Sequence, residues 1–479
     1  MRSRHEQSRA SRRNVYRAAG FPRRVHLRRA RAARQTRACA AAKEVVLFIG
    51  QNAPAAHCSA AGVRTRALIE GFVDHGFSVA FAAQAKTDEY TQTALERSGA
   101  CTLYEIQANR EECVRNLLQK LQPTVVVFDR FISEEAFSFH VRTVVPSAMM
   151  VLDMQDCCFL REGRREACEA ADRAEVAGGD PILEASRFRP LATDVRVSRE
   201  LGSIHRCDLA LVCSRVEMDL LEEMGVSTRK MVYAPFFVDA LARRGQISPA
   251  FESRRRGFVT IGTMKHAPNR DGLDWLFHHV WPLVRKDLDG ATVTVYGAHF
   301  SDHHTKQYHR PDLGFEVGGW LEEERLLQTL EQHRVMLAPL RYGAGLKGKI
   351  VDGWIAGCPC VTTSVGAEGM SSEGADAFGG IVDGVVDSAS FAEACVRLHE
   401  EKSIWEKKRV LGFRALSVGF DRDHHHRAIR ERICDALVNL DERRSSDFTQ
   451  SMLWHHNNRS TEFFSRWIEL KEKMRSEQK

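Results

Sequence analysis

Short apolar runs alternate with amphipathic stretches along the chain from residue 45 onward. The run VVLFIG at 45–50 precedes an amphipathic stretch at 61–75, and the run SVAFAA follows at 78–83. Continuous apolar runs of this length are typical of strands in a parallel sheet that is covered on both faces. The pattern therefore predicts a doubly wound α/β domain. Further strand-like runs in this domain are CTLYEI, TVVVFD, SAMMVLD and LALVCS.

The alternation breaks at 235–257, where Pro, Gly, Ser and charged residues mix as they do in interdomain linkers. A second series of strand-like runs then follows: FVTIGTM, ATVTVYGA, FEVGGW, VMLAPL, PCVTT and GGIVDG. We predict two Rossmann-like domains with parallel sheets, at 44–238 and 257–445, joined by a linker at 239–256. A helical segment at 446–479 is expected to pack back on the first domain. Two such domains leave an interdomain cleft, where the strand carboxyl ends bind ligands.

The net charge of +6 is distributed very unevenly along the chain. Residues 1–43 hold thirteen Arg and one Lys against a single acid, Glu6, so the rest of the chain carries −7. This distribution does not indicate a nucleic-acid-binding body, and no nucleic-acid partner is expected. The basic leader is rich in Ala and Ser and lacks an apolar core, so it resembles an organellar transit peptide, with a plastid favoured over a mitochondrion. The alternative is a disordered basic tail on a cytoplasmic protein.

The apolar runs, the cysteines and the histidine cluster indicate no membrane segment and no metal site. No apolar run approaches the roughly 18 residues that a membrane-spanning helix needs. The thirteen cysteines lack paired spacing and are interpreted as buried thiols. The three histidines at 424–426 point in different directions on a helix and are expected at the surface. The neighbouring Asp421-Arg-Asp423 is expected to cap that helix.

The clearest candidate for chemistry is the glycine-rich turn GAGLKG at 343–348, between the run VMLAPL and a helix that ends at Gly357. Glycines allow close approach of a ligand, and the first turn of a helix presents free N–H groups and a positive dipole end. Lys347 and Lys349 lie at the same end, where cations are unfavourable unless an anion neutralises them. The turn therefore predicts a phosphate site.

Two other interpretations of this turn are a dinucleotide fingerprint and a plain helix cap with solvated lysines. A dinucleotide fingerprint should follow the first strand of a βαβ unit and precede an acid at the end of the next strand. Here the turn comes late in the second domain, and the following strand-like run, PCVTT, ends in hydroxyls. Context therefore argues against dinucleotide binding.

The segment 338–370 resembles the donor-binding segment of retaining nucleotide-sugar glycosyltransferases of group 1, family four, which have the GT-B architecture. The segments at 262–276 and 60–81 are similar to the opening of the second domain and to the first helix of that family. The resemblance covers most of 45–420. It implies an enzyme that moves a hexosyl or related group from a nucleotide-diphosphate sugar to an unknown glycan, lipid or protein acceptor. It also implies retention of configuration, no metal, and no cofactor besides the donor as co-substrate.

The resemblance also implies roles for individual residues. Asp352 falls on the acid that binds the ribose, and Lys347 would neutralise the diphosphate; these two are the residues expected to carry catalysis. The donor side is expected to comprise Gly62, Gly343, Gly345, Lys347, Lys349, Asp352 and Glu368. Sugar or acceptor contacts are expected from His57, Asp153 and His266.

One departure from the family pattern keeps other functions open. A second acid of the family falls on Ala344, and the usual basic pair at the start of the second domain is missing. An inactive GT-B-like protein that binds nucleotide or protein is therefore an alternative. An NAD-dependent oxidoreductase is a further alternative, which the position of the glycine-rich turn disfavours.

Overall fold

The computed structural model describes residues 44–108, 110–173, 179–239, 251, 255–371, 374–382 and 388–477. The basic leader and most of the expected linker lie outside these residues, so the transit-peptide interpretation stays a prediction. Among the described helices, none combines the length and apolarity that a bilayer crossing requires. The described cysteines form no disulfide, and seven of them are buried.

The first domain is built on a parallel sheet of seven strands in the order β3-β2-β1-β4-β5-β6-β7. The central strand β1 pairs in parallel with both β2 and β4, and its residues from Val46 onward are buried. The strands are β1 Val45–Gly50, β2 Ser78–Ala83, β3 Thr102–Glu105, β4 Val125–Asp129, β5 Met149–Asp153, β6 Leu209–Val212 and β7 Met231–Tyr233.

Helices cover both faces of this sheet. The helix after β1 begins where the Ser59 side chain accepts a hydrogen bond from the Gly62 N–H, a common N-cap arrangement. The helices are α1 Ala60–Asp74, α2 Glu89–Ser98, α3 Glu111–Leu121, α4 Arg130–Val144, α5 Cys158–Asp172, α6 Pro181–Arg187, α7 Val195–Arg206 and α8 Arg215–Glu223.

The second domain is built on a parallel sheet of six strands in the order β10-β9-β8-β11-β12-β13. Its central pair is β8 and β11, with Val335 opposite Phe258, and both residues are fully buried. The strands are β8 Arg256–Ile261, β9 Val293–Tyr296, β10 Phe315–Gly319, β11 His333–Ala338, β12 Cys360–Thr363 and β13 Gly380–Val382.

The helices of the second domain again follow their strands and cover both faces of the sheet. A π-helical stretch, Leu276–Val280, joins the first two helices. The helices are α9 Ala267–Trp275, α10 Trp281–Asp287, α11 Asp302–Tyr308, α12 Glu323–Leu330, α13 Gly348–Ile355, α14 Ser364–Ala367, α15 Ser388–Glu400 and α16 Lys402–Gly419. The predicted fold class, two Rossmann-like parallel-sheet domains, is confirmed.

Three further helices, α17 Arg422–Val438, α18 Leu440–Ser446 and α19 Phe448–Glu477, end the described chain. Ile429 and Ile433 of α17 belong to the apolar core of the first sheet. The chain therefore returns to the first domain at α17, before the predicted boundary at 445. The reason is that α17 buries isolated apolar residues within a polar sequence.

The same helix corrects one prediction and confirms another. His425 and His426 are buried rather than exposed, because α17 packs against the first domain. The Nε2 atom of His425 lies 2.9 Å from the Gly419 carbonyl oxygen, and the His426 ring packs on Phe237. The Asp421 side chain accepts a hydrogen bond from the His424 N–H, so the predicted helix cap is confirmed.

Candidate active site

A cleft of about 1130 Å³ lies between the two domains. Its walls are the segments that follow the carboxyl ends of β1, β4 and β5 in the first domain and of β8, β9, β10 and β11 in the second. This is the edge at which parallel α/β sheets bind ligands. The start of α13, predicted as a phosphate site, lines the cleft.

The turn before α13 lies directly against the first domain, and two glycines permit this. Gly345 has φ +64, a left-handed conformation, and a Cβ placed there would lie 2.8 Å from the Cβ of Asp156. A Cβ on Gly348 would collide with the Cβ of Ala60. Larger residues at either position would force the two domains apart.

Of the backbone N–H groups around the start of α13, some have an acceptor within the described chain and others have none. The Gly345 N–H donates to Glu217 Oε1 at 2.7 Å, and the Lys347 N–H points to the Met370 sulfur at 3.1 Å. Within the described chain, the N–H groups of Gly348 and Lys349 have no acceptor, and both residues line the cleft. These two groups are therefore available to an anion, as is typical of the first turn of a helix.

Both predicted lysines border these open N–H groups. The Lys347 ammonium donates to the Gly345 carbonyl oxygen at 2.6 Å, and burial lowers its pKa. The Lys349 ammonium donates to Asn269 Oδ1 at 3.0 Å, and burial lowers its pKa to about 8. A buried ammonium without an anionic partner is costly, so a bound anion would stabilise both lysines.

Asp352 lies one turn further along α13 and also lines the cleft. Burial, with a smaller effect from the nearby Glu323, raises its pKa to about 7. Within the described chain, its carboxylate has no hydrogen-bond donor. Such a group can accept hydrogen bonds from two vicinal hydroxyls of a ligand.

Glu368 does not line the cleft but acts on the turn through Arg164 of α5. The Arg164 guanidinium pairs with Glu368 at 2.7 Å and also donates to the Gly343 carbonyl oxygen at 2.9 Å. Burial alone would raise the pKa of Glu368, but the hydrogen bonds and charge of Arg164 lower it. The structure thus places Glu368 as a support for the turn.

Gly62 lies at the start of α1, beside the cleft rather than on its wall. Its N–H already donates to the Ser59 Oγ at 3.0 Å, so this group is not open to a phosphate. A Cβ at this position would collide with the Ala55 carbonyl group. The geometry gives Gly62 a packing role, because α1 must approach the loop after β1 closely.

Of the three residues expected to contact sugar or acceptor, His57 and His266 line the cleft. The His57 ring packs against Tyr90 with 4.6 Å between centroids, and the Trp320 indole N–H donates to the His57 carbonyl oxygen. Burial lowers the pKa of His266 to about 4, so this imidazole is neutral at physiological pH. Asp153 is instead buried below the cleft.

Asp153 belongs to a buried polar network under the first-domain wall. It pairs with Arg64 at 2.8 Å and accepts a hydrogen bond from the Gln155 amide at 2.9 Å. Burial raises the pKa of Asp153 against the opposing effect of Arg64. Arg64 and Gln155 reach the cleft wall, so the network fixes the shape of that wall.

The first-domain wall also contains polar residues that were not predicted, among them Arg130, Gln155 and Arg161. Arg130 and Gln155 have φ +66 and φ +63, conformations that are uncommon for residues other than glycine and that cluster at functional sites. Burial alone would raise the pKa of Asp156, but the ion pair with Arg161 and the charge of Arg130 lower it. Arg130 and Gln155 lie just after β4 and β5, and Arg161 lies at the start of the following helix, α5; this position beyond the strand carboxyl ends is the sequence feature that could have identified them.

Residues 255–401 match the family model described as Glycosyl transferases group 1. No curated protein matches the chain in sequence. The chain is similar in structure to sucrose-phosphate synthase from Thermosynechococcus elongatus, with a TM-score of 0.61 and 13% identity over 82% of this chain and 99% of that one.

Two further solved structures have the same fold. HepE from Anabaena, in complex with UDP and glucose, has a TM-score of 0.57 and 12% identity over 82% of this chain and 100% of that one. A TarM mutant from S. aureus, in complex with fondaparinux, α-GlcNAc-glycerol and UDP, has a TM-score of 0.58 and 9% identity over 81% and 99%. The prediction of a glycosyltransferase is therefore confirmed at the level of domain and fold: residues 255–401 of the second domain match group 1 glycosyl transferases, and the chain has the GT-B fold.

Proposed function

We propose that this protein transfers a sugar from a nucleotide-diphosphate donor to an acceptor, with retention of configuration and without a divalent metal. The main support for the proposal is the start of α13, where backbone N–H groups without an acceptor in the described chain face the cleft. Two free N–H groups, two lysines whose charge burial disfavours, and the carboxylate of Asp352 face one interdomain cleft. The nucleotide sugar is a co-substrate, and no other cofactor is proposed.

The donor diphosphate would accept hydrogen bonds from the Gly348 and Lys349 N–H groups. Negative charge grows on the leaving phosphate as its bond to the sugar lengthens, so fixed donors at that oxygen stabilise the transition state more than the ground state. The ammonium groups of Lys347 and Lys349 add to this stabilisation. They would take the charge-neutralising role that a metal ion has in other phosphate chemistry.

Asp352 would hold the ribose one helical turn from the diphosphate. A carboxylate that accepts two ribose hydroxyls fixes the nucleoside, which orients the sugar towards the first-domain wall. Retention would follow if the acceptor attacks from the side of the leaving group and gives its proton to the departing phosphate. Closure of the two domains around the donor would exclude water, which otherwise hydrolyses it.

The acceptor would lie on the first-domain wall, near His57, Arg130, Gln155 and Arg161, with His266 opposite. Between them, these side chains can donate and accept hydrogen bonds, so they suit a hydroxylated acceptor, whether glycan, lipid or protein. The leader predicts that this reaction takes place in an organelle, with a plastid favoured.

The decisive experiment is a panel of UDP-, GDP- and ADP-sugars in which released nucleotide diphosphate is measured. UDP-sugars come first, because HepE and TarM were solved with UDP. We expect Lys349→Ala to lower transfer at least about tenfold, since one oxyanion donor typically contributes 10²–10³. The exposed Lys286→Ala serves as the matched control and should leave transfer unchanged.

Other outcomes select among the alternatives. Nucleotide binding without transfer or donor hydrolysis would indicate an inactive binding protein, and stabilisation by NAD alone would indicate an oxidoreductase. Activity that persists in EDTA would support metal independence. The coupling constant of the anomeric proton in the NMR spectrum of the product shows whether the configuration is retained. Unchanged transfer in Lys349→Ala would refute the assignment of the donor site.

A further inference from the structure

The cleft continues on both sides of the open N–H groups of Gly348 and Lys349. A nucleotide sugar is a linear molecule in which the diphosphate joins the nucleoside to the sugar. With the diphosphate on these N–H groups and the ribose on Asp352, the nucleoside lies along α13, beyond its first turn. The sugar is then expected on the opposite side of the diphosphate, over the turn that contains Gly345.

One carboxylate of the first domain reaches this part of the cleft. Asp156 follows β5 and lines the cleft. A Cβ placed on Gly345 would lie 2.8 Å from the Cβ of Asp156, so the side chain of Asp156 begins directly beside the turn. The neighbouring Ala344 also lines the cleft but has no polar side chain. The acidic group beside the turn therefore comes from the first domain.

The backbone around Asp156 is held firmly. Gln155 has φ +63, a conformation that is uncommon for residues other than glycine and that clusters at functional sites. The Asp156 N–H donates to the Met154 carbonyl oxygen at 2.8 Å, and the Cys213 thiol donates to the Gln155 carbonyl oxygen at 2.9 Å. A side chain on such a backbone is positioned before a ligand arrives, which lowers the cost of binding.

Within the described chain, only one of the two carboxylate oxygens of Asp156 has a hydrogen-bond donor. Oδ2 pairs with the Arg161 guanidinium, whereas Oδ1 has no donor, and the side chain is 17% exposed. Burial opposes ionisation of Asp156, but Arg161 and Arg130 outweigh it and lower the pKa, so the carboxylate is charged. A charged oxygen at the cleft wall can accept a hydrogen bond from a sugar hydroxyl.

Other carboxylates near the turn are engaged elsewhere and do not line the cleft. They are Asp153, paired with Arg64, Glu368, paired with Arg164, and Glu217, which accepts hydrogen bonds from the N–H groups of Cys157 and Gly345.

We infer that Asp156 binds a hydroxyl of the transferred sugar through Oδ1, while Arg161 holds the carboxylate in position. This assignment rests on the proposed function, because it uses the position of the donor diphosphate. It also narrows the donor class: the sugar carries a free hydroxyl on the side that meets the first domain. A donor that lacks this hydroxyl leaves a charged oxygen without a partner and is rejected.

Calorimetric titration distinguishes this role from that of a purely structural ion pair. The probes are UDP-, GDP- and ADP-glucose and the corresponding nucleoside diphosphates, which lack the sugar. Asp156→Asn keeps the shape of the side chain, but its oxygen must face Arg161, which can only donate, so an N–H replaces the acceptor in the cleft. We expect this variant to bind the nucleotide sugar at least about tenfold more weakly, since hydrogen bonds to charged groups are strong. Its affinity for the nucleoside diphosphate should be unchanged.

Glu162→Gln is the matched control, because Glu162 is another partner of the Arg161 guanidinium, at 3.3 Å. It should leave the ratio of the two affinities unchanged. Unchanged thermal unfolding shows that each variant is folded. Monodeoxy forms of the bound nucleotide sugar give a second measurement on the unmodified chain. One of them should bind at least about tenfold more weakly than its parent, and this difference should disappear in Asp156→Asn.

The proposal is overturned if Asp156→Asn weakens the nucleotide sugar and the nucleoside diphosphate equally, or weakens neither. It is also overturned if every monodeoxy form binds the unmodified chain as its parent does, or if the difference persists in Asp156→Asn. These outcomes leave the proposed function intact, because the nucleotide still binds. An unmodified chain that binds none of the probes overturns the proposed function and this assignment together.

Discussion

Donor binding should depend on pH through two groups at the start of α13. Burial raises the pKa of Asp352 to about 7, and burial lowers the pKa of Lys349 to about 8. In the proposed function Asp352 must be ionised to accept the ribose hydroxyls, and Lys349 must be protonated to pair with the diphosphate. Affinity should therefore rise as the pH increases through about 7 and fall as it increases through about 8.

The size of each effect follows from the fraction of the group in its binding form. A carboxyl with a pKa of about 7 is ionised to about 9% at pH 6 and to about 91% at pH 8, so Asp352 changes the affinity about tenfold over that interval. Lys349 loses its proton over a similar range centred about one pH unit higher, with an opposing tenfold effect. The affinity follows the product of the two fractions, so it has a maximum between the two pKa values.

Calorimetric titration with an intact nucleotide sugar, from about pH 5.5 to about 9.5, measures this profile. The intact donor is used because a terminal phosphate would itself titrate near 6. Asp352→Asn keeps the shape of the side chain but cannot ionise, so the acid limb should disappear. Lys349→Arg stays protonated throughout, so only the alkaline limb should disappear. An acid limb that persists in Asp352→Asn would refute the role of this carboxylate.

Two further predictions concern the turn that precedes α13. Gly345→Ala should lower the free energy of unfolding by about 1–2 kcal/mol because of its left-handed backbone, and by more because the new Cβ meets the first domain. It should also weaken donor binding. Gly99→Ala, also left-handed but facing open space, should lose a similar amount of stability from its backbone alone and leave donor affinity unchanged; an equal loss of donor affinity would contradict the argument. Arg164→Ala should destabilise the chain by about 2–4 kcal/mol in urea, because Glu368 loses its partner. Removing Glu368 as well should recover part of that loss, and no recovery would contradict the pairing.

The sheets could be predicted because the strands are buried on both faces. The bounds of β1 and β2 agree with the apolar runs VVLFIG and SVAFAA residue for residue. Strand β7 was missed, since it has three residues and offers almost no pattern. Helix α17 was assigned to the wrong domain because its buried residues, such as Ile429 and Ile433, stand among charged ones. Only the tertiary contacts decide which sheet it covers.

The candidate donor site could be predicted only where its residues are contiguous. Glycines and lysines within seven positions of the chain, 343–349, identify the turn before α13. Glu217 and Arg164, which hold that turn, lie 128 and 179 residues from their partners Gly345 and Gly343. Nothing in a single sequence links such positions. Glu368 is a further example. Its charge suggested a contact with a ligand, but in the structure its carboxylate pairs with the Arg164 guanidinium.

These two long-range contacts make the proposed donor site a property of both domains. Glu217 of α8 accepts the Gly345 N–H, and Arg164 of α5 donates to the Gly343 carbonyl oxygen, so first-domain side chains fix the backbone of a second-domain turn. The next two N–H groups, of Gly348 and Lys349, remain open in the cleft. A donor bound there would share one short turn with the domain contacts. If the donor binds there, both contacts use the same backbone segment, so ordering of the turn by one would favour the other, and donor affinity would be coupled to closure of the cleft.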